Sequence, residues 1–248
     1  MNLSKIKKAL ATLLLITGIP TTAYCDTFIV GVENLEYYPL YEYKDGQYKG
    51  LAQTMLDQFG KDKGHTFEYK PFPVLRLTKY FVEKAVDFKF PDNEYWAKDA
   101  KLGHTVVYSD PVMEYTDGVL VIPERKGKGI DGFKKLGTVR GFTPWTYMSL
   151  IKSGSITVNE GNSLNAVVKQ ALNNRVDGAY FNVSVAKYFL EHQLKKPNVL
   201  VFDESLPHTT SNYHLSSIKH PNIIKQFNAW QIEQAGWILD KRREYGLE

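Results

Sequence analysis

A single cysteine, Cys25, occurs in 248 residues, and with no second one the chain cannot form an internal disulfide. The six histidines, at positions 65, 104, 192, 208, 214 and 220, include no i,i+4 pair, so the helical two-histidine zinc motif is excluded. A run long enough to span a bilayer is also lacking, because the apolar stretch ALATLLLITGI near the N-terminus is too short. Charge of one sign does not accumulate either: 31 Lys and Arg face 27 Asp and Glu for a formal +4. Three of those positive charges, Lys5, Lys7 and Lys8, precede the apolar stretch with no acid to offset them, leaving about +1 elsewhere. That balance removes the main support for a nucleic-acid partner. The basic groups at 125–128 and 241–243 read as a solvated loop and the polar face of a last helix.

What is present begins with that N-terminus. Lysines, a short apolar core, and small and polar residues up to Ala23-Tyr24-Cys25 predict a cleaved secretory signal peptide over residues 1–25. Cleavage after Cys25 is expected, with cleavage after Ala23 as the alternative, and the bulky Tyr24 argues against lipid attachment. The predicted location is the periplasm. A composition 43% hydrophobic and 23% charged is that of a globular chain with one large or two modest domains.

From Asp26 onward strands and helices alternate. TFIVGV is fit for a buried parallel strand, and YKDGQYKG carries an Asp45-Gly46 turn signal. LAQTMLDQFGKDKG places Leu51, Met55, Leu56 and Phe59 on one helical face. HTFEYKPF alternates as a strand, VLRLTKYFVEKA returns to helical spacing, and VDFKF reads as the next strand. This β-α-β-α-β order predicts a doubly wound sheet. After two strand-like runs around Ser109-Asp110-Pro111 the pattern restarts without a linker, through a strand near Gly137–Val139, a helix from Thr143, the helix SLNAVVKQALNN and the strand VDGAYF. Two hinged α/β lobes are therefore expected. Five residues beyond the aspartate of each Val-Asp pair, Val86-Asp87 and Val176-Asp177, stand Asp92 and Asn182. As residues at carboxyl ends of strands both have a place on a shared crevice; caps of the following turns are the other reading.

The segment LGTVRGFTPWTYMSLIKSG, residues 136–154, breaks at Gly141 and is expected to re-enter as a helix with Thr143 as N-cap and Pro144 in the first turn. Such a start offers N–H groups and a positive dipole end to an anion. A helix start that meets only water is the alternative.

In order and spacing, several segments resemble the periplasmic solute-binding proteins of polar amino-acid ABC importers, family 3. They are Tyr37-Tyr38-Pro39-Leu40, Gly50-Leu51, Val86-Asp87, Tyr108-Ser109-Asp110-Pro111, Val139-Arg140-Gly141-Phe142-Thr143, Arg175-Val176-Asp177-Gly178-Ala179 and Tyr245-Gly246-Leu247. The resemblance covers essentially the whole chain after residue 25. It implies an α/β type-II periplasmic binding protein fold of two lobes, each a mostly parallel sheet flanked by helices. Lobe 1 is expected over 26–113 plus 206–248 and lobe 2 over 114–205, with a small-solute cleft between them. It also implies a monomer without cofactor or metal, working with a membrane permease or receptor.

In that family an aromatic residue stacks on the ligand, an arginine clamps its carboxylate with help from a threonine, and an aspartate holds its ammonium. Tyr37 or Tyr38 matches the aromatic and Thr143 the threonine. Where the arginine belongs, PDNEYWAKDAKLG offers only Lys98 and Lys101, and the aspartate position holds Asn182. Arg76, Arg140 and Asp92 are the replacement candidates, so the expected ligand-binding set is Tyr37, Tyr38, Arg76, Asp92, Arg140, Thr143 and Asn182. Loss of the bidentate fork and of the acidic partner predicts weak binding of standard L-amino acids. Tyr95, Trp96, Phe142, Trp145, Tyr180 and Phe181 gather near predicted strand ends, which makes stacking or cation–π recognition a possibility, with about half of them expected in the core. An enzyme on this fold is the main rival, with Asp92, Glu94 or Glu36 as acid or base, but no nucleophile-base pair is spaced for it. A sensory protein serving a membrane receptor is the second rival.

Overall fold

A computed structural model describes residues 26–247, so the predicted signal peptide lies outside the described residues. The chain runs through β1 (Asp26–Glu33), β2 (Glu36–Tyr37), β3 (Tyr41–Lys44), β4 (Gln47–Lys49), α1 (Leu51–Lys63), β5 (His65–Phe72), α2 (Val74–Val82) and β6 (Phe88–Asp92). It continues with β7 (Val107–Tyr108), β8 (Met113–Val121), β9 (Lys135–Val139), α3 (Met148–Lys152), β10 (Thr157–Gly161), α4 (Leu164–Leu172) and β11 (Gly178–Asn182). The remainder is α5 (Val183–Tyr188), β12 (Val201–Phe202), β13 (Thr209–Ser217), α6 (Pro221–Glu233) and α7 (Ala235–Glu244). Among the described residues no helix is long and apolar enough to cross a membrane.

Ten strands join in one sheet whose main path is β10-β9-β11-β8-β13-β6-β1-β5. Its two ends repeat one design. In each, the first strand (β1 or β9) is flanked in parallel by the second at the edge (β5 or β10) and by the third inside (β6 or β11). All five residues of β6 and of β11 are buried, as expected of strands covered on both faces. Between the two ends run the antiparallel strands β8 and β13, paired from Met113↔Tyr213 to Asp117↔Thr209. Helices α6 and α7 return to the first end: Trp230 donates to Asp62 at 2.8 Å, Lys63 pairs with Glu233 at 2.8 Å, and the Thr54 and Tyr245 hydroxyls lie 2.7 Å apart.

The two Val-Asp pairs perform the same task at each end. Val86 and Val176 are buried, while the carboxylates tie the start of each third strand to its neighbour. Asp87 accepts the Ile29 N–H at 2.7 Å and its own N–H donates to the Ile29 carbonyl. Asp177 accepts the Lys134 and Lys135 N–H groups at 2.7 Å each, and its N–H donates to the Lys135 carbonyl. Burial works to raise the Asp87 carboxyl, but the Ile29 N–H together with Lys219 and His220 outweighs it and holds the group below its ordinary range.

One expected element forms differently. Pro144 has ψ 79, outside the helical region, and a 3-10 turn over Trp145–Tyr147 leads into α3, a helix of only five residues. No side-chain cap is made at either start, so Thr143 does not act as the N-cap. Proline disfavours helical geometry in the residue before it, and Gly141 at φ +95 has already turned the chain toward α2. A Cβ at Gly141 would stand 3.1 Å from Val74 Cβ and 3.2 Å from Leu75 Cγ.

Asp177→Ala leaves two strand amides without their acceptor and should cost about 1–3 kcal/mol. Thermal unfolding should show a melting temperature lower by several degrees, with Asp177→Asn, which keeps one acceptor oxygen, in between. Equal stability of Asp177→Ala and the parent chain would refute the tie.

Candidate functional site

The carboxyl ends of the parallel strands and the middle of β8 and β13 enclose a cavity of about 390 Å³. Its lining comes from both ends of the sheet. Glu33 ends β1, Tyr37 and Tyr41 bracket the first loop, and Val74, Leu75 and Thr78 face in from α2. Lys89 comes from β6, Asp117 from β8, Tyr213 from β13 and Tyr180 from β11, and the loop Gly141-Phe142-Thr143 with Trp145 closes the opposite wall. Trp96 completes it.

Seven of the nineteen lining residues are aromatic, and several of the rings brace one another. The Tyr37 ring lies 5.2 Å from Tyr41 and meets Phe142 edge-on at 5.6 Å, while Trp96 meets Tyr213 at 5.8 Å. Tyr213 is in turn stacked on Tyr115 at 4.4 Å. Trp145, 43% exposed, stands at the rim.

Three charged groups reach the cavity from buried or partly buried positions. The Lys89 ammonium is already engaged, donating to Asp92 Oδ1 at 2.7 Å and to the Pro91 carbonyl at 3.0 Å, and it lies 5.7 Å from the Trp96 ring centre. Glu33 accepts the Tyr41 hydroxyl at 2.6 Å; burial raises its carboxyl above the ordinary range despite that hydrogen bond and Lys89. Asp117 differs from both. Its Oδ1 is buried with no hydrogen-bond partner, and burial, reinforced by the charge of Glu33, pushes the carboxyl up to about 7.

Of the expected ligand-binding residues, Tyr37 and Thr143 line the cavity. The others lie elsewhere. Asp92, wholly buried, accepts from Lys89, from Lys101 at 2.8 Å, from the Asn93 N–H at 2.9 Å and from Ser216 Oγ at 2.6 Å. Its work is to hold two lysines, and their pull outweighs burial to keep the carboxyl below its ordinary range. Asn182 caps α5 through the Val185 N–H at 3.0 Å, and its own N–H donates to the Tyr37 hydroxyl at 2.9 Å. Tyr38 packs against Tyr188 and Tyr245. Arg76 is exposed on α2, and Arg140 is exposed and pairs with Glu160 at 3.3 Å. Among the expected aromatics, Trp96, Phe142, Trp145 and Tyr180 line the cavity, Phe181 is core, and Tyr95 is exposed.

No family model matches the chain, and no curated protein matches it in sequence. Solved structures do match. An arginine transport-system periplasmic binding protein from Legionella pneumophila superposes with a TM-score of 0.70 at 16% identity, over 89% of this chain and 99% of that one. An ABC uptake transporter substrate-binding protein from Streptococcus pneumoniae with bound histidine gives 0.71 at 19% identity, over 90% and 93%. The GluR0 ligand-binding core in complex with L-glutamate gives 0.72 at 14% identity, over 90% and 99%. The fold is that of two-lobed type-II periplasmic binding proteins.

Sequence reasoning passed over Glu33, Lys89 and Asp117. A signal for two of them exists. Glu33 is an acid directly after the apolar run FIVGV of the first strand, and Asp117 is an acid directly before the buried run GVLV of β8, where a charge needs a reason.

An unfolded aspartate ionises near pH 4, whereas Asp117 in the fold does so at about 7. The fold therefore binds that proton more tightly, and its stability falls as pH rises between those values, by roughly 2–4 kcal/mol in full. Asp117→Asn removes this penalty. Without ligand, the variant should melt higher than the parent chain near pH 8, with the gap closing toward about pH 4. A gap that does not change with pH would mean that the carboxylate is solvated.

Proposed function

We propose that this chain is an exported solute-binding protein that captures one small polar or amino-acid-like solute between lobes formed by residues 26–113 with 206–248 and by residues 114–205. The closed form then docks on a membrane permease of an ABC importer or on a receptor. The observation that carries this reading is the cavity itself: it is lined from both ends of the sheet, and its volume of about 390 Å³ suits a ligand of amino-acid size. The fold supports it, and the predicted signal peptide fits a periplasmic location. Tyr37 and Thr143 contribute to the site in this reading, joined by Glu33, Asp117 and the aromatic wall.

Ordinary α-amino acids fit the cleft poorly. Their carboxylate calls for a bidentate donor, yet no arginine lines the cavity among the described residues, and Lys89 is already held by Asp92. A desolvated carboxylate without a full set of donors costs affinity. Calorimetric titration of residues 26–248 with the standard L-amino acids should give dissociation constants weaker than about 1 μM. A submicromolar value for any of them would contradict this account of the cleft.

A thermal-shift panel of amino acids, amines, small carboxylates and aromatic metabolites tests the wider reading. At least one solute should raise the melting temperature with increasing concentration and reduce the radius of gyration in solution scattering. A panel in which no solute does either would overturn it.

A further inference from the structure

We propose that the solute is an organic monocation with an aromatic or apolar body and no carboxylate, and that Asp117 is its counter-charge. The inference rests on the solute-binding reading and deepens it.

The geometry around Asp117 carries the argument. Its backbone is held on both sides, by Thr209 of β13 and by Asn182 of β11, which fixes where its side chain joins the cavity wall. Its Oδ1 is buried without a partner, although a buried acceptor left unsatisfied is costly. Folding tolerates such a group where a ligand completes it. Two ammoniums line the cavity: Lys89, which is spent on Asp92, and Lys79, which is exposed on α2 and lies 3.9 Å from Glu83. Glu33 adds a second acid, already bonded to Tyr41. The surrounding faces belong to Tyr37, Trp96, Phe142, Tyr180 and Tyr213, and ring faces attract cations as they attract one another's edges. An anionic solute would meet two acids and no free fork of donors. A cation meets an unpaired acceptor inside an aromatic box.

The groups that face Asp117 are few. They are the Glu33 carboxyl from β1 and the phenols of Tyr37, Tyr115, Tyr180 and Tyr213, with the ammoniums of Lys89 from β6 and Lys79 from α2 lining the same cavity. With the Asp117 carboxyl at about 7, part of the empty protein carries a proton there at neutral pH. A bound cation favours the ionised form, so binding releases that proton to buffer, and affinity rises with pH up to slightly above 7.

The test uses residues 26–248 and four probes on one phenyl frame: 2-phenylethylamine (cation), 2-phenylethanol (neutral), 3-phenylpropanoate (anion) and L-phenylalanine (the amine plus a carboxylate). The amine should bind at least roughly tenfold more tightly than each of the other three. Asp117→Asn should cost the amine roughly ten- to a hundredfold while leaving the alcohol unchanged. Calorimetry near pH 7 in buffers of different ionisation enthalpy should show proton release in the parent chain and none in Asp117→Asn. Glu33→Gln should retain the release, which separates the two acids. Tighter binding of the anion or of L-phenylalanine, or proton release that survives in Asp117→Asn, would overturn the inference and leave solute binding intact. Failure of the amine while other solutes from the thermal-shift panel bind would do the same. Failure of every solute would bring down the parent reading.

Discussion

The antiparallel pairing of β8 with β13 is the constraint on which the rest depends. Each end of the sheet is a parallel β-α-β-α-β unit, and this pair is what makes them one sheet. Because parallel strands gather loops at their carboxyl ends, two such units joined through an antiparallel seam turn those ends toward a shared space. The cavity is a consequence of that topology before any side chain is chosen. Side chains then decide what the space prefers, and the residue at the end of the seam, Asp117, is the one whose position the topology fixes most tightly.

Charge in the cleft is arranged in two layers with different purposes. Asp92 sits behind the wall and gathers Lys89 and Lys101, with Lys101 also donating to the Asn93 carbonyl and the Tyr108 hydroxyl. Breaking such a buried cluster would strand a lysine, so it serves as scaffold. Glu33 and Asp117 form the front layer. Neither is paired with a cation through a hydrogen bond of its own, and both carboxyls are driven upward by burial. The division explains why a strand-end aspartate, Asp92, is structural while a mid-strand aspartate faces the solute.

Much of the fold could be read from the sequence because local pattern and final environment agree there. HTFEYKPF is β5 residue for residue, and the repeated Val-Asp pairs mark equivalent points in the two units because each must end a helix and start a strand against a neighbour. The site was less legible for the same physical reason that makes it a site. Asp92 and Asn182 have the spacing of ligand residues, but spacing does not reveal that Lys89 and Lys101 fill one while the α5 cap occupies the other. Thr143 reaches the cavity wall, yet by way of a loop that Pro144 keeps out of helical geometry. Charges that abut buried apolar runs, Glu33 after FIVGV and Asp117 before GVLV, break the local pattern; such breaks carry more information about function than the motifs that respect it.

The Asn182 N–H donates to the Tyr37 hydroxyl, a direct hydrogen bond that joins β11 to the first loop. A single neutral hydrogen bond contributes about 1 kcal/mol net, a bias of roughly fivefold between two arrangements. Such a clasp is too weak to shut an empty cleft by itself, and closing over an ionised, unpartnered Asp117 works against it. In a two-lobed solute-binding protein of the kind proposed, idle closing would thus be penalised, and an occupant that answers the carboxylate would remove the penalty. Under the proposed reading, recognition and movement would share one oxygen atom: a solute that satisfies it would also favour the shut form.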